Sequence, residues 1–443
     1  MRCRMLRLSK KTMQLEKIKC SAIELAKIIP DDVLEQLAVE TNVDRYSKVL
    51  SGERMFHLLI YAFCTADRVS QRRLESMFNS EHFKFIFNCA QGVTVNHSSI
   101  SARLSKMNVE FFEKAYELVY GKMSALYTEQ EIRDKHLVRV DSTMVAEACN
   151  KLKAGFTVGK KPAEGESRKQ VKYTMGYDGF AVELAKLFDE PTYLSEDKAM
   201  PEVVLGLVEK EKEHRNIYVL DRGLSAVHNF ESLSDSEAAF VGRLKTSCKM
   251  DVVRSLTDSD TDRDLGKLEL VDFVDARLYN RGTKEFTERV YRIVKAKFKV
   301  PRDTTRSTAK GKHPRIENEI LFITNDFTLT PQEIAEAYRR RWDIEVFFRF
   351  LKQELNFSHF TSVNENGLKI ILYMTLITAI MLMIYKRKNG LGYSEAKFLF
   401  KTEMNDYILV LGVFLSGGDM SRFKYRYKVK NGSISVNYKP FKR

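Results

Sequence analysis

Residues 338–352 read Tyr338-Arg-Arg-Arg341-Trp342-Asp-Ile-Glu345-Val-Phe-Phe-Arg-Phe-Leu-Lys352, and the rest of the chain takes its meaning from this stretch. Pro331 precedes it, and the run after Pro331 holds no Gly or Pro and is rich in Glu, Ala, Arg and Leu. The sequence therefore predicts a helix starting near 331. At about 100° per residue, Tyr338, Arg341, Glu345 and Lys352 share one narrow stripe of that helix. A phenol, a guanidinium, a carboxylate and an ammonium aligned in this way suit a site that handles both a metal and a phosphate. The same letters would also build a surface ladder of ion pairs, so the decision falls to the rest of the chain.

Upstream of the helix, Glu319-Ile-Leu-Phe-Ile-Thr324 predicts a core strand. Further back, His136-Leu-Val-Arg-Val-Asp141 and Asn216-Ile-Tyr-Val-Leu-Asp221 are β-rich runs that each end in an acid. Val171–Asp178, Phe180–Phe188 and Ala239–Leu244 predict further strands, Met200–Glu213 an amphipathic helix, and the segment to Leu233 another helix. Strands followed by helix-strand-helix-strand describe an α/β core with a mixed sheet. Between 249 and 317 the order gives way to turn-rich polar segments and alternating strands such as Arg289–Val294, a β-rich insertion with a cationic loop at Pro301–Pro314.

The outer parts are of other kinds. Residues 12–130 carry helical apolar periodicity almost throughout. Ser70-Gln-Arg-Arg-Leu-Glu-Ser-Met and His97-Ser-Ser-Ile-Ser-Ala-Arg-Leu-Ser-Lys106 each place a Ser able to cap ahead of cations opposite an apolar face, as a DNA-reading helix would. Ile370–Tyr385 is a 16-residue apolar run, short of a bilayer span and suited to a buried helix capped by Lys386-Arg-Lys388. The tail, Arg422–Lys430 with Lys439–Arg443, alternates cations and aromatics.

Across its 443 residues the chain carries a net charge of +14, which favours a polyanion partner over an acidic small molecule. No secretion signal is legible at the basic start MRCRMLRLSKK, and no lipidation signature supports a membrane. Six scattered cysteines (Cys3, Cys20, Cys64, Cys89, Cys149, Cys248) without a CxxC pair are those of reduced thiols in a cytoplasmic protein. The eight histidines form no HxxxH or HxH pair, which weakens a zinc hydrolase. Glu196-Asp197 is an acidic loop, and Trp342, the single tryptophan, reads as core packing.

Open α/β sheets bind ligands beyond their strand ends, where Asp141 and Asp221 stand. Together with Glu345 they would place three carboxylates around one point, where their mutual repulsion calls for divalent cations. All-oxygen ligands favour magnesium or manganese, and two such ions can drive an in-line phosphoryl displacement. Arg243 and Lys245, at the end of a core strand, are candidates for contact with DNA phosphates.

The spacing Tyr338-x2-Arg341-x3-Glu345-x6-Lys352 resembles the Y-R-E-K signature of DDE transposases of the insertion-sequence-four type. Asp141-Ser-Thr resembles that family's first acidic strand, Leu220-Asp221-Arg-Gly223 its second, and a β-rich insertion before the Glu helix is also a family trait. The resemblance implies a ribonuclease-H-like core in two parts, 131–248 and 318–362, split by the insertion at 249–317. A helical DNA-binding region would precede it at 1–130, and a helical region with the basic tail would follow at 363–443. It further implies that Asp141, Asp221 and Glu345 ligate two Mg2+ or Mn2+ ions while Tyr338, Arg341 and Lys352 hold phosphates of the transposon end. The expected activity is cut-and-paste transposition of double-stranded DNA by a homodimer on DNA, associated with the nucleoid and with no membrane partner. Some members pass through a hairpin that holds a flipped base on an aromatic; Tyr279, Phe286 and Tyr291 are available here. The alternatives are a catalytically inactive DNA-binding derivative and a stand-alone ribonuclease-H-like nuclease.

Overall fold

The computed structural model describes residues 20–419 apart from 67, 146–151, 153–154, 158–168, 212–214, 259–260, 304–305, 309–310 and 314–315, together with 427–430 and 433–436. Cys3, Cys149, most of the cationic tail and parts of the 301–314 loop lie outside the described residues. Of the tail, Tyr427–Lys430 pairs with Ser433–Val436 as a hairpin. The chain divides into two compact units, Met1–Leu126 with Lys151–Lys153 and Phe350–Arg443, and Tyr127–Asn150 with Ala154–Arg349.

The first unit opens with helices α1 (Asp31–Glu40), α2 (Gly52–Thr65), α3 (Gln71–Phe78), α4 (His97–Leu104) and α5 (Glu110–Ser124). Ser51, Ser70 and Asn96 cap α2, α3 and α4 by accepting a first-turn N–H. The cap of α4 is thus Asn96, two residues ahead of Ser98, the first serine of the predicted segment. Helix α2 is buried on nearly every side, from Met55 to Cys64. Arg103 of α4 turns inward, donating to the carbonyls of Leu50 and Val43 at 2.7 Å each and pairing with Asp44 at 3.2 Å. Arg72, Arg73 and Lys106 stay exposed on the same pair of helices.

The second unit is built on one mixed sheet. Its first strands are β1 (Leu137–Met144), β2 (Lys172–Tyr177) and β3 (Val182–Phe188). Helix α6 (Glu196–Lys210) leads to β4 (Ile217–Leu220), and helix α7 (Val227–Asp235) leads to β5 (Ala239–Leu244). The order is β3-β2-β1-β4-β5, with β1 to β3 antiparallel and β4 and β5 parallel to β1. That order and strand sense are those of a ribonuclease-H-like sheet. Beyond β5 the sheet continues through β6 (Met250–Ser255), β7 (Leu268–Asn280), β8 (Tyr291–Asp303) and β9 (Ile316–Thr324). β9 pairs with β5, β8 with β9 and β7 with β8, so the strands of the 249–317 segment extend the central sheet.

Alternation along the strands separates two apolar layers. Val138, Val140, Tyr218 and Leu220 meet α6 on one face, through Met200, Val203 and Leu207. Val241 and Phe322 meet helix α8 (Pro331–Arg339) on the other, through Ile334 and Ala337. Helix α9 (Trp342–Glu354) follows α8 after a break at 340–341. The single helix read from the sequence is therefore two.

The chain then supplies the first unit with α10 (Glu365–Asn389) and α11 (Tyr393–Leu415). By length and composition α10 could cross a membrane, but its residues from Ile370 to Tyr385 are almost all buried in the protein, packed against α2, α5 and α11. The Tyr385 hydroxyl donates to Glu403 at 3.1 Å inside this packing. Gly390 ends α10 in the left-handed region at φ 66°, a conformation that glycine adopts without strain.

Candidate active site

The parallel ladder of β1 with β4 ends at Val140 opposite Leu220, so Asp141 and Asp221 are the next residue on each strand. Both alternate away from the α6 layer, toward the face that carries α8. Asp141 does not end its strand, as the sequence suggested: β1 continues to Met144 because β2 still pairs with it on the other side.

The break between α8 and α9 brings the third carboxylate in. Fully buried Arg139, two residues before Asp141 on β1, donates Nε to the carbonyl of Arg340 at 3.3 Å. Its Nη1 donates to the carbonyls of Asp178, at 2.9 Å, and Leu137, and its Nη2 pairs with Asp343 at 3.1 Å. The Arg340 carbonyl, which also accepts the Asp343 N–H at 3.1 Å, is thus tied at the break to a side chain of the sheet. Behind α9, Phe347 stacks on Tyr177 with ring centroids 4.7 Å apart. These contacts fix where α9 starts, and so where Arg341 and Glu345 point.

Arg341 is the centre of the site. Its guanidinium lies 3.4 Å from Asp141, 3.5 Å from Asp221 and 2.7 Å from Glu345. Burial works against the Arg341 charge, but Asp221, Glu345 and Asp141 together hold it above its ordinary range. Its Nε is buried and lacks a hydrogen-bond partner among the described residues. Burial pushes the Asp141 carboxyl up to about 7, opposed by the Ser142 N–H and reinforced by the charge of Asp221. A cluster of oxygen donors gathered on one cation fits hard divalent ions, which would supply the positive charge this cluster lacks.

A second layer, not legible in the sequence, surrounds the aspartates. The Ser142 hydroxyl donates to Glu196 at 2.6 Å, and Glu196 pairs with Lys172 at 2.8 Å. A side chain at Gly223 would meet Glu196 Cγ at 2.6 Å, which explains the glycine in the Asp221-Arg-Gly run. Asp197 accepts from the N–H groups of Ser225 and Ala226 at 2.6 and 2.8 Å, which fixes the turn leading into α7. Glu196-Asp197 is accordingly the first turn of α6 with two structural tasks, and not an acidic loop.

A cavity of about 1130 Å³ opens beside Asp221, and its lining includes Arg222, Arg243, Lys267, Arg302, Tyr338 and Arg341. Glu317 pairs with both Arg243 and, at 3.3 Å, Arg222. Lys245 is exposed and donates to the Ser225 hydroxyl at 3.1 Å. The Tyr338 ring packs on Phe322, and burial raises its phenol pKa above the ordinary value. Trp342 is 48% exposed and lines the cavity, which corrects its reading as core packing. It is the first residue of α9, just past the break, and the change in helix direction carries it out of the apolar stripe. Lys352 stands about two turns beyond Glu345 on α9, half-buried, with burial holding its ammonium below the ordinary range. Of the three aromatics in the β-rich segment, Tyr291 is fully buried, whereas Phe286 is exposed beside Tyr279 at 5.4 Å.

A ribonuclease-H-like sheet with an aspartate after each strand of its central parallel pair, and a helical glutamate sharing one guanidinium with them, defines the DDE class. Residues 133–382 match the transposase DDE domain, more than half of the chain, and the chain belongs to that family. A protein of Sinorhizobium fredii named as transposase y4zB is 27% identical over 182 residues, 41% of this chain and 46% of that protein. One from Geobacillus stearothermophilus, named as a transposase for insertion sequence element IS5377, is 25% identical over 290 residues, 65% of this chain and 66% of its own length. A third, from Synechocystis sp. and named for insertion sequence element IS4SA, is 28% identical over 91 residues, 17% of this chain and 27% of that protein. The chain spans less than two thirds of the length of each of these relatives.

Proposed function

We propose that this protein is a cut-and-paste DNA transposase of the insertion-sequence-four type, acting at the terminal inverted repeats of an insertion sequence. The observation that carries the reading is the convergence of Asp141, Asp221 and Glu345 on the Arg341 guanidinium. In this reading the three carboxylates hold two Mg2+ or Mn2+ ions. Such ions, when bound, would activate an attacking oxygen and stabilise the leaving oxygen of an in-line displacement.

The other residues handle DNA. Arg341 keeps the carboxylates gathered and then takes a phosphate of the transposon end, for which its planar fork is suited. Tyr338 donates its hydroxyl to a phosphate oxygen, and Lys352 supplies a point charge. Arg222 and Arg243, held by Glu317, and exposed Lys245 follow the backbone alongside the cavity. Water cuts the strand at the element's end and leaves a 3′-hydroxyl, which attacks a phosphodiester of the target duplex. Residues 1–130 bind the end sequence, and two copies of the chain pair two ends on DNA at the nucleoid. If the route includes a hairpin, Phe286 with Tyr279 is the aromatic pair open to a flipped base.

The test is a plasmid excision assay with strand transfer scored separately. Replacing Asp141, Asp221 or Glu345 singly by Ala should abolish both while end binding persists. Cleavage by Glu345→Ala at the normal rate would overturn the proposal. Cutting without transfer would leave a stand-alone nuclease, and binding without cutting by the unmodified chain a DNA-binding derivative.

A further inference from the structure

The helical unit holds a second cluster of ligating groups, far in sequence from the DDE carboxylates. His57, on α2, is 1% exposed, and neither ring nitrogen has a hydrogen-bond partner among the described residues. Its Nε2 lies 3.4 Å from Asp31 in the first turn of α1, and its Nδ1 lies 3.9 Å from Glu53 one turn earlier on α2. One ligand atom from each of the three residues lies within 4.8 Å of the others. The imidazole is held edge and face by aromatics, stacking on Phe87 at 4.5 Å and meeting Phe56 edge-on at 5.9 Å.

Acids in the first turns of α1 and α2 are favoured by the helix dipole, which accounts for Asp31 and Glu53. It does not account for a buried imidazole with both nitrogens unsatisfied among the described residues, an arrangement that costs free energy. A cation on Nε2 would satisfy that nitrogen beside Asp31 and leave the Nδ1–H facing Glu53.

We propose that Asp31, Glu53 and His57 form a site for one divalent transition-metal ion of the zinc type, which staples the start of α1 to the start of α2. One nitrogen and two carboxylates are a borderline donor set, suited to zinc over the harder magnesium. At zinc–ligand lengths of about 2.0–2.2 Å and tetrahedral angles, ligand atoms sit about 3.4 Å apart. Nε2 and Asp31 are already at that spacing. The side chains of Asp31 and Glu53 are 43% and 24% exposed and free to close the remaining distance, with water as the fourth ligand.

Zinc binding by the full chain carrying Ala at 141, 221 and 345, which removes the other carboxylate cluster, tests this. Equilibrium dialysis should find one zinc per chain, and adding Asp31→Asn with Glu53→Gln should weaken it by at least about tenfold. Equal zinc retention in that variant would overturn the proposal, as would no retention by either chain. A second measurement needs no change at the site. Cobalt bound to the full chain with Asp141→Ala, Asp221→Ala and Glu345→Ala should show ligand-field bands of a nitrogen–oxygen site in the visible, and thiolate charge-transfer bands would assign the metal to cysteines instead.

Discussion

Arg341→Met removes the charge at the centre of the carboxylate cluster while keeping most of the side-chain volume. Three ion pairs are lost, at 2.7, 3.4 and 3.5 Å. At an effective dielectric of about 20, a pair near 3.3 Å is worth about 5 kcal/mol before desolvation. Asp221 and Glu345 are about one-third exposed, so solvent screening leaves each of their pairs about 1 kcal/mol. The pair between Asp141 and Arg341, both mostly buried, retains about 1–2 kcal/mol, and the whole loss comes to about 3 kcal/mol. In urea denaturation with EDTA present, the variant should therefore unfold about 3 kcal/mol more easily. With saturating Mg2+ the deficit should shrink to below about 1 kcal/mol, because ions binding only the folded cluster replace the missing charge. End binding should fall under both conditions. A deficit of equal size with EDTA and with Mg2+ would refute the argument that Arg341 balances a cation site.

Other perturbations separate the supporting parts. Arg139→Met should cost about 3 kcal/mol in urea denaturation, since the carbonyls of Asp178 and Arg340 each lose the hydrogen bond it donates, and a cost under about 1 kcal/mol would mean that the helix break holds without it. Glu317→Gln releases Arg243 and Arg222 from their shared partner, so the salt dependence of non-specific DNA binding should steepen by about one phosphate contact; an unchanged slope would show that the two arginines do not reach DNA. Asp197→Ala leaves the N–H groups of Ser225 and Ala226 without this acceptor and should lower stability by about 1–2 kcal/mol with Mg2+ binding unchanged, as measured by calorimetry.

The strands that carry the aspartates were legible because burial on both faces leaves an apolar run that few other structures explain. His136–Asp141 and Asn216–Asp221 correspond to β1 and β4, and Glu319–Thr324 to most of β9. The helix break at 340–341 was not legible. Arg340 and Arg341 are good helix formers, and the interruption is imposed from outside by Arg139, about 200 residues away on β1. The grouping of Arg341 and Glu345 survived the break because both lie at the start of α9 or just before it. Tyr338, before the break, lines the cavity with Arg341, whereas Trp342, read as core packing, is exposed there. The pairing of Lys172 with Glu196 and of Arg243 with Glu317 escaped notice for a different reason: the partners are distant in sequence, and a lone charged residue in a strand or helix start carries no signal of pairing. The dual character of Arg103 was hidden likewise, since nothing local says that a cation on a polar face folds back onto the Val43 and Leu50 carbonyls.

The pairing of β5 with β9 has a consequence for the order in which the protein is made. Leu244 and Leu321 are opposite each other in the sheet, yet the whole of β6, β7 and β8 must be synthesised between them. Contacts of such long sequence separation form late, after the local hairpins on either side. Glu345 and Arg341 follow later still, beyond β9. On a ribosome, Asp141 and Asp221 are therefore in place before any third carboxylate, and the cluster of three stays incomplete until the residues beyond β9 have emerged.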